Sequence, residues 1–486
     1  MKFSELVFDA TEIYLPQDPN IESISSSSSR CNPNSLFVCI EGMHRDGHSY
    51  ISQAKALGAC AYIISSSHID AISFAKENSL AYAIYPDTRF AEAHITSRFY
   101  QDPWKKLKIF AVTGTNGKTT VVSLLNAIYT VAGFSCRNIG TLTGKLTTPD
   151  PEILYKTLYD YQKDGVQYVF MEASSHALSL GKLSPIIFDV GIFTNLTPEH
   201  LDFHKTMEDY CSAKASLFKQ SKIGIFNADD SHYLKLLNPS NKPYLCSMKQ
   251  DGMDFTAKNI LQNGSYGIQY DLMTKDLVFK IKSGIPGLFT VMNTLEAASA
   301  SLIDGISPEI IRGAVCGFDG VKGRLERVVV PTNDFSVYID FAHTPDALEN
   351  ILRTVRGFMS DGQRLVLIFG CGGDRDKSKR PIMGEIAVRL ADFVIVTADN
   401  SRSEKTSDII EDILSGITVG SPHTAIENRK EAIEYAVSTA QRGDIILLTG
   451  KGHEEYEIMP DGVHPFSEKS IVIQAVTKYI KARGLF

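Results

Sequence analysis

From residue 108 onward, apolar runs of strand length alternate with longer amphipathic stretches. A strand covered on both faces reads as a near-continuous apolar run and the helix covering it as an apolar stripe, so the alternation predicts βαβ units on mostly parallel sheets. Lys108–Val112, Tyr168–Met171, Val190–Phe193 and Ile223–Phe226 are the expected strands of one sheet, with a helix over Val121–Ala132 after the first. Between about 254 and 285 the runs shorten and alternate around turns such as Asn263-Gly264, which predicts an antiparallel appendage on the same domain. Val337–Ile339, Leu365–Phe369, Phe393–Val396 and Ile445–Leu448 then repeat the first pattern and predict a second α/β sheet.

A chain of 486 residues exceeds the roughly 250–300 at which one core stops growing. Three domains are expected, over 1–104, 105–327 and 328–486. Asp102-Pro103-Trp104-Lys105-Lys106, a proline- and charge-rich link before the first long apolar run, sets the first boundary. The serine run Ser25–Ser29 reads as a loop inside the first domain.

In open α/β sheets ligands bind beyond the carboxyl ends of the strands, and the unusual residues of this chain fall there repeatedly. Thr113–Thr120, Glu172–His176 and the stretch from Thr194 to His204 each follow a strand of the first sheet and are expected to share one crevice. Asp340–His343, Gly370–Asp376, Asp399–Arg402 and Gly450–Glu454 follow strands of the second sheet and form a second crevice, expected to face the first.

Thr113-Gly114-Thr115-Asn116-Gly117-Lys118-Thr119-Thr120 reads as an ATP-binding loop. Gly114 and Gly117 let backbone N–H groups approach phosphate oxygens, Lys118 offers a charge to the β- and γ-phosphates, and Thr119 offers a hydroxyl to Mg²⁺. The loop is shorter than GxxxxGK[ST], because Val112 stands where that form has glycine. Glu172 is the expected Mg²⁺ carboxylate, and His200 can join it. Asp340 and His343 are candidates for the ATP ribose, base or phosphate, although Asp340 could equally cap a helix over Pro345–Leu352. Asp374-Arg375-Asp376, Arg402 beside Asn400, and Glu454 after Lys451 combine both signs of charge. That combination suits a zwitterionic amino acid, whose carboxylate an arginine holds bidentately while a carboxylate receives its ammonium group.

Composition narrows the setting. With 43% hydrophobic and 22% charged residues and a formal charge of −7, the chain is ordinary for a globular protein and carries no basic footprint for nucleic acid. No apolar run approaches the roughly 18 residues of a membrane span, and the opening Met1–Leu6 lacks a secretory pattern, so a cytoplasmic location is expected. Eight cysteines without a CxxC pair fit reduced packing residues.

Taken together, Thr113–Thr120, Met171–His176, the 194–204 stretch and Gly323-Arg324-Leu325-Glu326 resemble the Mur ligase family of peptidoglycan synthesis, across nearly the whole chain. The resemblance implies a small α/β N-terminal domain for a UDP-sugar, a central phosphate-loop ATPase and a C-terminal Rossmann-like domain that brings an amino acid, in a monomer. It also implies ATP contacts at Gly114, Thr115, Asn116, Gly117, Lys118, Thr119, Thr120, Asn138, Asn293, Arg324, Asp340 and His343. Lys118, Glu172, His200 and Lys214 are the implied catalytic residues. Thr119, Glu172, His200 and Lys214 are the implied metal ligands, with Lys214 carbamylated by CO₂. From the residues alone, Lys214 reads as a solvated helix position.

Ser29, Thr147, Thr148, Ser174 and Lys182 are the implied contacts to UDP-MurNAc-L-Ala-D-Glu. Ser28 stands where the family has aspartate, Leu180 where glutamine is usual and Lys182 where arginine is usual. Arg375, Asp399, Asn400, Arg402, Gly450 and Glu454 are implied to hold the incoming amino acid, with Ser401 replacing a proline. A distal carboxylate distinguishes meso-diaminopimelate from lysine, and Arg402 is a fitting partner for it. The implied reaction passes through an acyl phosphate on the D-glutamyl γ-carboxylate. The nucleotide and amino-acid motifs lie on separate domains, so closure of the C-terminal domain is expected to assemble the site. A lysine-adding sister ligase, a folylpolyglutamate-type ligase and a non-catalytic nucleotide sensor share parts of this pattern.

Overall fold

The structure, a computed structural model, describes residues 1–42, 45–144 and 146–483, apart from the side chains of Leu201 and Asp202. Contacts divide the chain into two compact units, 1–255 with 296–307, and 256–295 with 308–486.

The first unit holds two sheets. In the N-terminal sheet the strands are β1 (Glu12–Tyr14), β2 (Ser23–Ser25), β3 (Ser35–Val38), β4 (Ala59–Ser65) and β5 (Ala81–Tyr85), ordered β1-β5-β4-β3-β2. Only the β1–β5 pair is antiparallel. Alternation along β3 and β4 sends Leu36, Val38, Ala61 and Ile63 to one core and Phe37, Tyr62 and Ile64 to another, so both faces are covered.

The second sheet follows the expected runs. Its strands are β6 (Lys108–Thr113), β7 (Cys136–Ile139), β8 (Tyr168–Glu172), β9 (Phe188–Phe193), β10 (Ser221–Asn227) and β11 (Lys242–Ser247), all parallel and ordered β7-β8-β6-β9-β10-β11. β6 therefore lies between β8 and β9, with Val112 opposite both Glu172 and Ile192. After β8 the chain crosses to the other side of β6, and the crevice at such a switch point is where an open sheet receives a ligand.

In the second unit, β12 (Phe255–Gln262), β13 (Ile268–Met273) and β14 (Val278–Ser283) form the expected antiparallel meander. The larger sheet of this unit has the order β15 (Glu326–Val328), β16 (Ser336–Asp340), β20 (Ile445–Thr449), β17 (Leu365–Phe369), β18 (Phe393–Val396), β19 (His423–Ala425), parallel except for β15. Helices Pro345–Phe358, Lys379–Leu390 and Thr406–Leu414 cover one face; Arg429–Ser438 and Glu468–Ala482 cover the other. The helix after β16 is capped by Thr344, whose hydroxyl accepts from Ala347 N–H. Asp340 instead accepts from Leu325 and Ala342 N–H, so it closes the strand-end turn and leaves the cap to Thr344. Among the described residues no helix is long and apolar enough to cross a membrane.

One buried cation ties the ends of two strands together. Arg429 donates to Ala398 O beyond β18 (3.0 Å), to Thr449 O of β20 (2.7 Å) and to the Glu468 carboxylate (2.8 Å). Burial pushes the Glu468 carboxyl up, and the guanidinium beside it opposes that shift. Arg429→Met leaves a buried carboxylate without its partner and is expected to cost about 3–5 kcal/mol. Denaturant titration should show this as a lowered midpoint, with Glu468→Met in the same chain restoring part of the loss.

Candidate active site

Gly114 leaves β6 at φ 151° and Gly117 opens helix Lys118–Val131 at φ 89°. The loop between them is pinned to the chain beyond β9: Thr115 N–H donates to Asn195 O (2.8 Å), Asn116 N–H to Asn195 Oδ1 (2.9 Å), and Thr197 N–H to Thr115 Oγ1 (3.0 Å). Lys118 Nζ folds over the loop and donates to the Gly114 and Thr115 carbonyls at 2.9 and 2.8 Å. Thr120 lies in the first turn of the same helix. This is a cradle of backbone N–H groups at a helix N-terminus with a lysine beside it, the arrangement that holds a nucleotide's phosphates.

Glu172 at the end of β8 is buried, and its carboxylate accepts from Thr119 Oγ1 (3.0 Å) and Thr141 N–H (2.9 Å). Hydroxyl and carboxylate oxygens thus stand together beside the loop, a donor set of the hard type Mg²⁺ prefers. Lys214, on helix Met207–Lys219, is 1% exposed. Its Nζ donates to Gly114 O at 2.9 Å, the same carbonyl that Lys118 holds, and lies 4.4 Å from the Tyr210 ring centroid. Burial, reinforced by the nearby Lys118 charge, pushes the Lys214 amine far below the usual lysine range. A solvated helix position is therefore the wrong reading of Lys214. Periodicity shows which face of a helix is apolar, but not that a lysine on it reaches a strand-end loop.

His200 is exposed, adopts φ 57°, and packs edge-on to His176 at 4.8 Å between ring centroids. Thr148 Oγ1 donates to Glu172 O (2.8 Å) and accepts from Ser174 N–H (3.0 Å), while the Thr147 and Thr141 hydroxyls meet at 3.2 Å. Lys182 Nζ is held by Asp150 (2.6 Å). Ser29 is exposed on a short 3₁₀ turn, where Ser28 donates to Gln53 Oε1 and Arg30 pairs with Glu152. Asn138 sits on β7 with a buried Oδ1 that has no hydrogen-bond partner among the described residues.

The only cluster of three metal-type side chains among the described residues lies elsewhere, at Asp46, His48 and His68. Ser65 N–H donates to His48 Nε2 (3.0 Å), so Nδ1 carries the proton and donates to Asp46 (2.6 Å). With both ring nitrogens committed, this is a hydrogen-bonded structural group and not an open ligand set.

In the second unit, Asn293 is buried on helix Leu288–Ile303. The Arg324 guanidinium lies 5.1 Å from the Phe341 ring centroid, and its charge acts on buried Asp340. His343 Nδ1 contacts Phe341 O at 2.8 Å. Beyond β18, Asp399 and Asn400 are buried, and Asp399 Oδ1 has no hydrogen-bond partner among the described residues. Asn400 Nδ2 donates to Glu454 Oε2 at 2.8 Å. Arg402 takes φ 52° and places Nη1 on Gly373 O (2.8 Å), leaving Nε and Nη2 without hydrogen bonds among the described residues. Gly450 passes close to Asp399: a Cβ there would stand 3.2 Å from Oδ2. Arg375 is exposed on the loop after β17.

Buried Arg380 and its partner Glu404 were not among the expected site residues. Arg380 donates to Glu404 and Asp412, and Glu404 also accepts from Asp374 N–H (2.6 Å), joining the glycine loop to the Arg402 loop. Arg380, then Lys377 and the Asp374 N–H, hold the Glu404 carboxyl down at about 2. The Lys379-Arg380-Pro381 run was the available signal, but sequence spacing does not reveal which carboxylate such an arginine meets.

A phosphate cradle with a buried carboxylate and a hydroxyl beside it is the arrangement of a nucleotide-dependent enzyme, and the loop set of mixed charge suits a zwitterionic guest. Three family models match: "Mur ligase family, catalytic domain" over 20–96, "Mur ligase middle domain" over 112–301, and "Mur ligase, glutamate ligase domain" over 323–452. The chain is 39% identical to UDP-N-acetylmuramoyl-L-alanyl-D-glutamate–2,6-diaminopimelate ligase 1 of Clostridium acetobutylicum, covering 98% of this chain and 99% of that one. It is 38% identical to the corresponding ligase of Syntrophomonas wolfei, covering 99% and 100%. A solved structure of a UDP-N-acetylmuramoyl-L-alanyl-D-glutamate–2,6-diaminopimelate ligase is similar at a TM-score of 0.70 and 30% identity, over 100% of this chain and 99% of that one. The chain belongs to the Mur ligase family and is an ATP-dependent, amide-bond-forming ligase.

The loop geometry leaves no room for a side chain at its first glycine. A Cβ on Gly114 would lie 1.9 Å from Thr194 Oγ1. Gly114→Ala is expected to displace the loop and raise the KM for ATP by at least about tenfold, roughly 1.4 kcal/mol of binding. Initial-rate kinetics with ATP varied provide the check.

Proposed function

We propose that this ligase joins meso-diaminopimelate to the D-glutamyl γ-carboxylate of UDP-MurNAc-L-Ala-D-Glu, giving the UDP-MurNAc-tripeptide, ADP and phosphate in the cytoplasm. The observation that carries the reading is the charge arrangement beyond β18 and β20. Arg402 keeps Nε and Nη2 open for a carboxylate, while Asp399 Oδ1 and Glu454 offer acceptors to an ammonium group. A guest with a distal carboxylate and ammonium satisfies both; lysine leaves the guanidinium unmatched and glutamate leaves the acids unmatched. The full-length likeness to ligases named for 2,6-diaminopimelate supports the same choice.

In this reading the phosphate loop holds ATP so that the γ-phosphoryl group passes to the substrate carboxylate, and the acyl phosphate is then attacked by the diaminopimelate amine. Lys118 neutralises charge on the transferred phosphoryl group, and catalysis is mostly positioning and electrostatics. Thr119, Glu172 and a carbamylated Lys214, with His200, would hold Mg²⁺, which supplies further charge neutralisation at the phosphates. The neutral form of buried Lys214 is the form that adds CO₂, which turns a donor into an anionic oxygen ligand beside the loop. Ser29, Thr147, Thr148, Ser174 and Lys182 contact the UDP-linked substrate; Asn138, Asn293, Arg324, Asp340 and His343 complete the nucleotide contacts.

Incubation with ATP, Mg²⁺ and UDP-MurNAc-L-Ala-D-Glu is expected to yield tripeptide with meso-diaminopimelate and little with lysine or glutamate run in parallel. Product with lysine alone would overturn the assignment, and ADP release independent of both co-substrates would point to a sensor. For the carbamate, ¹³C-bicarbonate should give one protein-bound carbamate resonance that Lys214→Ala lacks. The same variant is expected to lose about 10²–10³-fold in kcat, the scale of removing a group that stabilises developing charge.

A further inference from the structure

On the reading that the loops beyond β18 and β20 receive the amino acid, one further residue behind those loops bears on its recognition. Lys451 follows Gly450 at the end of β20, and its side chain is completely buried. A buried lysine ammonium is costly unless it is met by acceptors or an opposite charge, and here two hydrogen bonds and one nearby carboxylate meet it. Nζ donates to Asn400 Oδ1 (2.9 Å) and to Tyr456 O (3.2 Å), and lies 3.6 Å from Asp399 Oδ1. Behind it, Phe466 presents its ring, with the centroid 5.4 Å from Nζ.

The consequence lies in the Asn400 carboxamide. Its two ends are nearly isosteric, so its orientation is set only by what they meet. Oδ1 accepts from both Lys451 Nζ and Ile458 N–H (3.0 Å). A flipped amide would turn its NH₂ toward two donors, so Nδ2 is directed to Glu454 Oε2 at 2.8 Å. The chain of contacts thus runs Lys451, Asn400, Glu454. The lysine's charge also acts on two carboxylates, Asp399 and Glu454, and offsets their mutual repulsion.

We propose that Lys451 is a positioning residue for the amino-acid substrate: it locks the Asn400 carboxamide and thereby presents Glu454 and Asp399 as paired acceptors for the substrate's ammonium group. Burial pushes the Lys451 amine down, and the Asp399 and Glu454 carboxylates oppose that shift. Arg429 and Glu468 are the other charged groups acting on it.

The test is steady-state kinetics of the full chain with each of the three substrates varied. Lys451→Met is expected to raise the KM for meso-diaminopimelate about 30-fold or more, with the KM values for ATP and the UDP-linked dipeptide within about twofold. Lys451→Gln keeps an N–H donor for Asn400 Oδ1 and is expected to recover most of that loss. In a cycle with Glu454→Gln, the double variant should be no worse than the poorer single one, because both changes break the same chain of contacts. The proposal is overturned if the three KM values move together, if Lys451→Gln is as impaired as Lys451→Met, or if the effects of Lys451→Met and Glu454→Gln add. Should Lys451→Met not fold, Lys451→Gln decides by its own KM split: a residual rise of a few-fold in the KM for meso-diaminopimelate alone is expected, and no rise, or a rise in all three KM values, overturns the proposal. If the wild type uses another amino acid, the split should appear in that amino acid's KM, so an error in substrate identity is read separately from an error about Lys451.

Discussion

The first unit depends on one constraint, the placement of β6 between two parallel neighbours. With β8 and β9 on either side, and Val112 opposite Glu172 and Ile192, the three chain segments leaving those strands must emerge together. Everything chemical in this unit follows from that emergence. The glycine loop is pinned by Asn195, Glu172 is met by Thr119, and Lys214 reaches back to Gly114 O. Two lysine amino groups on one carbonyl oxygen raise the local positive potential. That potential favours a polyanion at the loop and disfavours a second proton on the more buried amine.

The second unit solves a different problem, holding many charges at the ends of strands without solvent. Arg429, Arg380 and Lys451 are all buried, and each directs most of its donors to backbone carbonyls, carboxylates or an amide oxygen. Burying a charge is tolerated only when its hydrogen-bonding capacity is used, so these cations fix the loops they touch. A zwitterionic guest needs acceptors and donors at fixed separations, and rigid loops supply that without paying ordering entropy at the moment of binding.

Much of this was legible in the sequence. All eight strand-length runs from Lys108 to Leu448 are strands, because period and composition report burial on both faces directly. The phosphate loop was readable because glycine spacing and the lysine that follows encode a backbone shape. Lys214 was not readable from its own surroundings in the chain, since its environment comes from a strand-end carbonyl 100 residues away. Asp340 shows the opposite failure. Its place before a helix suggested a cap, yet Thr344, one residue before the helix, does that work, and Asp340 turns back to Leu325 across the β15–β16 pair. Arg380 and Lys451 belong with Lys214: basic residues in loops look solvated until the fold supplies the carboxylate or amide that buries them.

The two units also differ in how much of their specificity resides in side chains. At the phosphate loop, what the fold offers is backbone N–H groups and a helix N-terminus, which suit phosphates in general, and glycine is demanded by space: a Cβ at Gly114 would strike Thr194. Beyond β18 and β20, the proposed recognition of the amino acid falls to Arg402, Asp399, Asn400 and Glu454, whose orientations are set by neighbours outside that set. Selectivity among amino acids differing by one carboxylate then depends on groups held in place by buried cations, and a substitution behind the site can alter substrate choice without altering the site's composition.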